Sequence, residues 1–214
     1  MAFEVVKLGK IGYQAAWDLQ KDCIEQISSG HMNNRVIVAE HPHTITLGRN
    51  SSWGNLLCTR KRLEVLGIEL VETDRGGDIT YHGPGQLIIY PLFSCGLGPK
   101  EYLRFLERIL IKSLLKFGIL ANAKAGYTGV WVKDNKIASI GVKFNRRRQG
   151  YITSHGVALN VNTNLDFFNY IIPCGIKNCG VTSMQKELHV QQSFTSIAGE
   201  ILEQLKSFGD VVKV

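Results

Sequence analysis

A cysteine set between a proline and a glycine is a candidate nucleophile, and Cys174 in "NYIIPCGIKNCG" is one. A thiol becomes a useful nucleophile when a nearby positive charge stabilises its thiolate. Lys136 fits that role by type. It opens "KIASIG" just past a turn signal, among apolar neighbours that an ammonium interrupts. Each residue also has a plainer reading. Isolated cysteines are often small buried hydrophobes, and a turn lysine can lay its stem on apolar surface with its head in water. Cys179 lies five residues on, and with His155 it raises the question of zinc. The Cys-x4-Cys spacing matches no common site and a fourth ligand is not evident, so no metal is expected.

The second chemical segment is "RGGDITYHGPGQLIIYPL". Gly76, Gly77, Gly83 and Gly85 lie between Arg75 and a strongly apolar run. Glycine admits positive φ and lets the backbone approach a ligand closely. The loop can therefore offer N–H groups to a carbonyl or phosphate oxygen, flanked by Arg75 and His82. A tight turn into a core strand is the plainer alternative. No Gly-Lys-Ser/Thr follows, and no Gly-x-Gly-x-x-Gly precedes a helix, so neither nucleotide-binding loop is present.

Elements that position these residues follow from periodicity. "AAWDLQKDCIEQI" puts Ala16, Leu19, Cys23 and Ile27 on one helical face. "PKEYLRFLERILIKSLLKFG" is the strongest helix pattern, opened by Pro99, closed by Gly118, with Leu103, Leu106, Leu110, Leu114 and Phe117 on one face. "FTSIAGEILEQL" closes the chain as a helix, and "TRKRLEVLG" is a brief one. "RVIVAEHP", "TITLG", "IELVET", "LIIYPLF" and "SHGVALNVNT" read as strands. "TGVWVKDNKIASIGVKF" reads as a hairpin turning at Asp134-Asn135. Hairpins are more evident than crossovers, which predicts an α+β fold: a single domain over residues 1–214 with a mixed sheet and flanking helices.

Composition bounds the function. The 214 residues are ordinary for a soluble globular chain, 44% hydrophobic and 20% charged. No window has 18 consecutive apolar residues, and Lys7 and Lys10 interrupt the first apolar stretch, so neither a membrane span nor a signal peptide is expected. Five cysteines without repeated CxxC spacing fit a reducing, cytoplasmic setting. The net charge is +7, with basic runs at Arg60–Lys61–Arg62 and Arg146–Arg147–Arg148. No zinc-finger, RNP or helix-turn-helix pattern accompanies them, so nucleic acid is not an expected partner.

Taken together, "HPHTITLGR", "RGGDITYHGPGQLIIYPL", "GVWV", "KIASIGVK", "SHGVALNVNTNL" and "PCGI" resemble the lipoyl(octanoyl) transferases. They occur in family order from about His41 to Ile176. The resemblance implies the catalytic fold of biotin and lipoate protein ligases. It implies transfer of an octanoyl or lipoyl group from acyl carrier protein, through a thioester on Cys174, to the ε-amino group of a lysine. The acceptors would be lipoyl domains of 2-oxoacid dehydrogenase complexes and the glycine cleavage H protein. Lys136 would lower the thiol's pKa, and no cofactor is implied. The substrate-contacting segments fall on Arg75, Gly76, Gly77, Asp78, Ile79, Thr80, Tyr81 and His82; on Ser139, Ile140 and Gly141; and on Gly156, Val157 and Ala158. His43, Lys177 and Cys179 depart from the family pattern. An ATP-dependent lipoate–protein ligase and a non-catalytic binder of lipoyl domains or carrier protein are the rival readings.

Overall fold

A computed structural model describes residues 3–148, 150–175 and 179–206. The side chain of Cys174, together with Ile176 and Lys177, lies outside the described residues.

The chain opens with strand β1 (Glu4–Lys10), helix α1 (Tyr13–Ser28) and strand β2 (Arg35–Glu40). β1 and β2 are parallel, so α1 is a crossover helix. Its Ala16, Cys23 and Ile27 are buried at helical spacing. Strand β3 (Thr44–Leu47) leads to helix α2 (Arg60–Val65), where the Thr59 hydroxyl accepts from the Arg62 N–H at 3.2 Å and caps the first turn. Strands β4 (Glu69–Glu72) and β5 (Thr80–His82) then pair on either side of β3. This second, three-stranded sheet has its own core of Ile45, Leu63, Ile79, Tyr81 and Phe168. Sequence patterning gives the strands but not their division between two sheets.

Strand β6 (Gln86–Leu92) is buried at every position, as its near-continuous apolar run requires. After the short β7 (Ser94–Cys95) comes helix α3 (Pro99–Lys116), with the Glu101 carboxylate accepting from the Gly98 N–H at 3.1 Å. Strands β8 (Val130–Val132) and β9 (Asn135–Arg146) form the expected hairpin. Its turn is Lys133-Asp134, one residue earlier than expected. Val132 pairs with Asn135, and Lys133 takes the left-handed conformation at φ 53°. Strand β10 (Tyr151–Asn160) starts and ends three residues before the expected segment. Strand β11 (Gly180–Val181) and helices α4 (Met184–Leu188) and α5 (Phe194–Lys206) complete the described chain.

The large sheet runs β1-β2-β6-β10-β9-β11, with β7 on β10 and β8 on β9. One face carries Val36, Leu87, Ile89, Val157 and Leu159 against α3 and α5. The other carries Ile37, Ile88, Tyr90 and Ala158, partly covered by α1. The fold is α+β with a mixed sheet. Among the described residues no helix is long and apolar enough to cross a membrane.

Candidate active site

A cavity of about 520 Å³ opens on the α1 face of the large sheet. That volume is within the usual range for small-molecule sites. Its floor follows from strand register. Ser139, Ala158 and Ile88 form one row across β9, β10 and β6, and Gly141 pairs with Gly156 two residues on, with Tyr90 of β6 also lining the cavity. The glycine row has functional consequence. A Cβ at Gly141 would lie 2.9 Å from the Gly76 oxygen, so its absence lets the loop after β4 press onto the sheet. The Gly76 N–H then donates to the Val142 oxygen at 3.1 Å, which commits that donor to structure rather than to a substrate oxygen.

The glycine-rich segment divides by the two-residue period of an extended chain. Arg75, Gly77, Asp78, Thr80 and His82 line the cavity. Ile79 and Tyr81 point the other way, into the core of the small sheet, and do not line it. Arg75 lines the cavity but is structurally engaged. Its Nε and Nη2 donate to the Thr46 hydroxyl, and Nη2 also donates to the Thr46 carbonyl oxygen at 2.8 Å. The carbonyls of Arg75 and Gly77 accept from Arg49 and Asn50, which pins the loop at both ends. Gly77 itself sits at φ 87°, a conformation side chains rarely adopt. His43 lies away from the cavity, its Nδ1 2.7 Å from the Tyr81 hydroxyl and its ring stacked 4.2 Å from Phe167.

Lys136 enters the cavity from the start of β9, almost fully buried. Its ammonium lies 4.8 Å from the centre of the Trp131 ring. Gly129 makes room for it, since a Cβ there would sit 3.2 Å from Lys136 Cε and 2.7 Å from the Ala138 oxygen. The buried Glu107 carboxylate of α3 accepts from the Gly129 N–H at 3.0 Å and holds that segment down. Cys174 lies in a 3₁₀ turn over Pro173–Gly175, as a bend between proline and glycine would give. Gly175 lines the same cavity as Lys136. The chain then returns as β11, where Val181 pairs with Lys136. Two residues 38 positions apart in sequence are thereby carried by elements that border one space.

The opposite end of the cavity gathers His82, Tyr90 and His155, which the sequence motifs contain, with Tyr13 and Asp74, which they do not. Pro91 lies in the central strand β6, where it has no N–H for the ladder. β10 pairs with β6 at residues 157–160 and with β7 at residues 151 and 152, and residues 153–156 bridge the interval. There His155 takes φ 56°. Its Nε2–H donates to Asp74 Oδ1 at 2.7 Å, and the Tyr13 hydroxyl donates to its Nδ1 at 3.3 Å. Asp74 also receives Lys143 Nζ at 2.6 Å. Burial pushes the Asp74 carboxyl up, but the bonds from His155 and Lys143 outweigh this and hold it well below the usual carboxylate range. Burial lowers the His155 pKa despite Asp74. It lowers His82 strongly, and raises Tyr13 to about 12.

Three comparisons bear on this arrangement. A family model described as the lipoyl protein ligase A/B catalytic domain matches residues 12–206. An octanoyltransferase of Acidobacterium capsulatum is 41% identical over 211 residues, covering 91% of this chain and 84% of the relative. An octanoyltransferase of Bacteroides fragilis is 44% identical over 191 residues, covering 83% and 85%. Among solved structures, lipoate-protein ligase A bound with ATP superposes with a TM-score of 0.76 at 16% identity, covering 97% of this chain and 85% of that one. The bi-partite lipoate protein ligase of Thermoplasma acidophilum gives 0.75 at 17%, covering 97% and 83%. At such identities these two likenesses concern the fold.

Proposed function

The chain belongs to the lipoyl protein ligase A/B catalytic domain family, and from that premise we propose that it is an octanoyltransferase working through Cys174 and Lys136. The donor is octanoyl-acyl carrier protein. The acceptors are lysines of lipoyl domains in 2-oxoacid dehydrogenase complexes and of the glycine cleavage H protein. One observation carries the reading: a single cavity is bordered by the Cys174 turn, by the Lys136 ammonium, and by a floor of Ile88, Ala158 and Ser139.

In the first half-reaction the Cys174 thiolate attacks the carrier's thioester carbonyl. A new C–S bond forms, the carrier sulfur departs, and Lys136 supplies its proton. In the second, a target amine attacks the enzyme thioester. Lys136, now neutral, accepts the amine's proton, and Cys174 leaves as the thiolate. Burying about seven methylenes at about 0.8 kcal/mol each gives roughly 5 to 6 kcal/mol. That alone corresponds to weak binding, on the order of 0.1 mM, so contact with the carrier must add to it. Residues 49–63 support such contact. They carry Arg49, Arg60, Lys61 and Arg62 with no acidic residue, and their backbone is hydrogen-bonded to Gly77 and Ile172 beside the cavity.

The test is intact-protein mass spectrometry after incubation with octanoyl-acyl carrier protein and no ATP. The expected product is a hydroxylamine-labile octanoyl adduct on the Cys174 peptide, discharged by a lipoyl domain. An adduct confined to Cys179, or transfer only with ATP, would overturn the reading.

A further inference from the structure

We propose that Asn55 is a positioning residue for the Cys174 turn, locking it to Asp78 of the cavity wall. The inference rests on the assignment of Cys174 above. A 3₁₀ turn of three residues has little internal structure to fix its direction, here one Gly175 N–H to Ile172 O bond at 3.0 Å. Its placement must come from its neighbours. The chain around Asn55 runs antiparallel beside the approach to the turn. Leu57 N donates to Tyr170 O at 2.8 Å, Leu56 bridges Ile171, and Ile172 N donates to Asn55 O at 2.8 Å.

The Asn55 side chain continues this contact toward the cavity. Its Nδ2 donates to Asp78 Oδ2 at 2.6 Å, and the other Asp78 oxygen accepts from Ile79 N, also at 2.6 Å. Gly175 is pressed against this pair at φ 66°. A Cβ there would fall 2.5 Å from Asp78 Oδ2 and 3.1 Å from Asn55 Nδ2. One residue thus serves both sides, its carbonyl holding the turn's entry and its amide holding the carboxylate on which the turn's exit rests. The chemistry also requires that carboxylate to be held. A mobile anion beside the turn that carries the nucleophile would disfavour a thiolate there, and an amide donor directs it instead.

The experiment uses the full chain and reads folding by thermal melting, the pH profile of iodoacetamide labelling at Cys174, and steady-state transfer from a small octanoyl thioester. Asn55→Ala should lower kcat roughly tenfold, the value of one charge-assisted hydrogen bond, with KM nearly unchanged. It should also move the labelling midpoint to higher pH. Asn55→Asp sets two carboxylates against each other and should do more. Exchanging the pair, Asn55→Asp with Asp78→Asn, restores one donor and one acceptor and should recover most of the loss. A wild-type labelling profile and kcat in Asn55→Asp, or a double variant no better than that single one, would overturn the proposal. If Asn55→Ala fails to fold, the exchange variant decides alone. Labelling needs no acyl transfer. A wild-type chain that labels at Cys174 but never acylates there counts against the proposed function and leaves the positioning result readable.

Discussion

The two ends of the cavity are built in opposite ways. At the far end, the imidazoles and the tyrosine hydroxyls are tied to partners. His41 Nδ1–H donates to Ile11 O at 2.8 Å, and the Tyr90 hydroxyl donates to His41 Nε2 at 2.7 Å. His82 Nδ1–H donates to Gln86 Oε1 at 2.8 Å, and its Nε2 faces the Thr46 hydroxyl at 3.3 Å. The Tyr13 ring stacks on His82 at 5.6 Å. Each imidazole, His155 included, gives its one N–H to an acceptor and keeps its other nitrogen for a hydroxyl, which is the pattern of a neutral ring. The end that holds the proposed Cys174 and Lys136 pair is carried by a strand start and a three-residue turn. A wall that never changes can be rigid, with neutral imidazoles and with the Asp74 carboxylate paired to Lys143; in the proposed reaction it would face the acyl tail. A site that two proteins would visit in turn, as proposed, is suited to the ends of elements.

Substitutions at the two ends should therefore differ most in rate. Cys174→Ala or Lys136→Ala should reduce transfer by about 10³ or more, since each removes a group that takes part in bond change. His155→Ala should cost about tenfold, through loosening of Tyr13 and Asp74. Lys136→Arg sharpens the contrast. It keeps a positive charge but cannot exchange protons, so it should retain thiol labelling at neutral pH while transferring slowly. Transfer rates of the four variants under identical conditions are the measurement, and equal losses at both ends would erase the distinction.

An effect smaller than the loss of Cys174 or Lys136 is expected where the wall meets the floor. Gly77 at φ 87° accommodates a β-branched residue only with strain of about 1 to 3 kcal/mol. Gly77→Val should fold, with a lowered melting temperature, and lose transfer about ten- to a hundredfold. Full activity would show that the loop is a turn and nothing more. Smaller still is the response to salt. Long-range attraction between the Arg60–Arg62 strip and an acidic carrier is screened within about 10 Å at 0.1 M salt. Raising salt from 50 to 300 mM should lower kcat/KM with the carrier a few-fold. A small octanoyl thioester should respond less, and equal responses would remove the strip from the encounter.

The same contrast explains what the sequence disclosed. Helix faces, central strands and the Pro-Cys-Gly turn are written in local periodicity and residue type, and the structure reproduces them. Lys136 stood out because an ammonium interrupts an apolar strand. At the far end, His82 and His155 lie in motifs, but nothing in the sequence joins them to Tyr13 or Asp74. Tyr13 belongs to the first turn of an amphipathic helix, and Tyr90 to a run of core residues. Their meeting depends on register among β6, β10 and β9, which no window of sequence contains. Pro91 marks the register change, because a proline in an otherwise central strand requires a break in the ladder beside it. Asn55 gave no signal, since its partners lie 23 residues away at Asp78 and beyond 100 at Ile172. The parallel β1–β2 pair was missed for a related reason: two lysines and an exposed edge hide a short strand.

The least of these effects is on stability, and it separates the ends by pH. Burial lowers the pKa of His41 and His155, and of His82 most of all. Above about pH 6.5, the unfolded value for imidazole, these rings are neutral in both states and their contribution is complete. As pH falls below that value the unfolded chain takes up protons first, so stability declines. The slope is about 1.4 kcal/mol per pH unit for each ring that only the unfolded chain protonates, and it ends once the native rings titrate. Asp74 adds a second decline at lower pH, because its native carboxyl is held below the ordinary range and the unfolded one protonates near 3.9. The melting temperature should thus be nearly level from pH 8 to 7 and fall between pH 6.5 and 5. His82→Asn offers an amide donor to Gln86 but no titrating group. It should melt lower at pH 7.5, for lack of the Tyr13 stack, yet fall less steeply on acidification. Lys136→Ala, at the end that holds the proposed pair, should keep the wild-type slope. A His82→Asn chain with that same slope would mean that the far end does not govern acid stability.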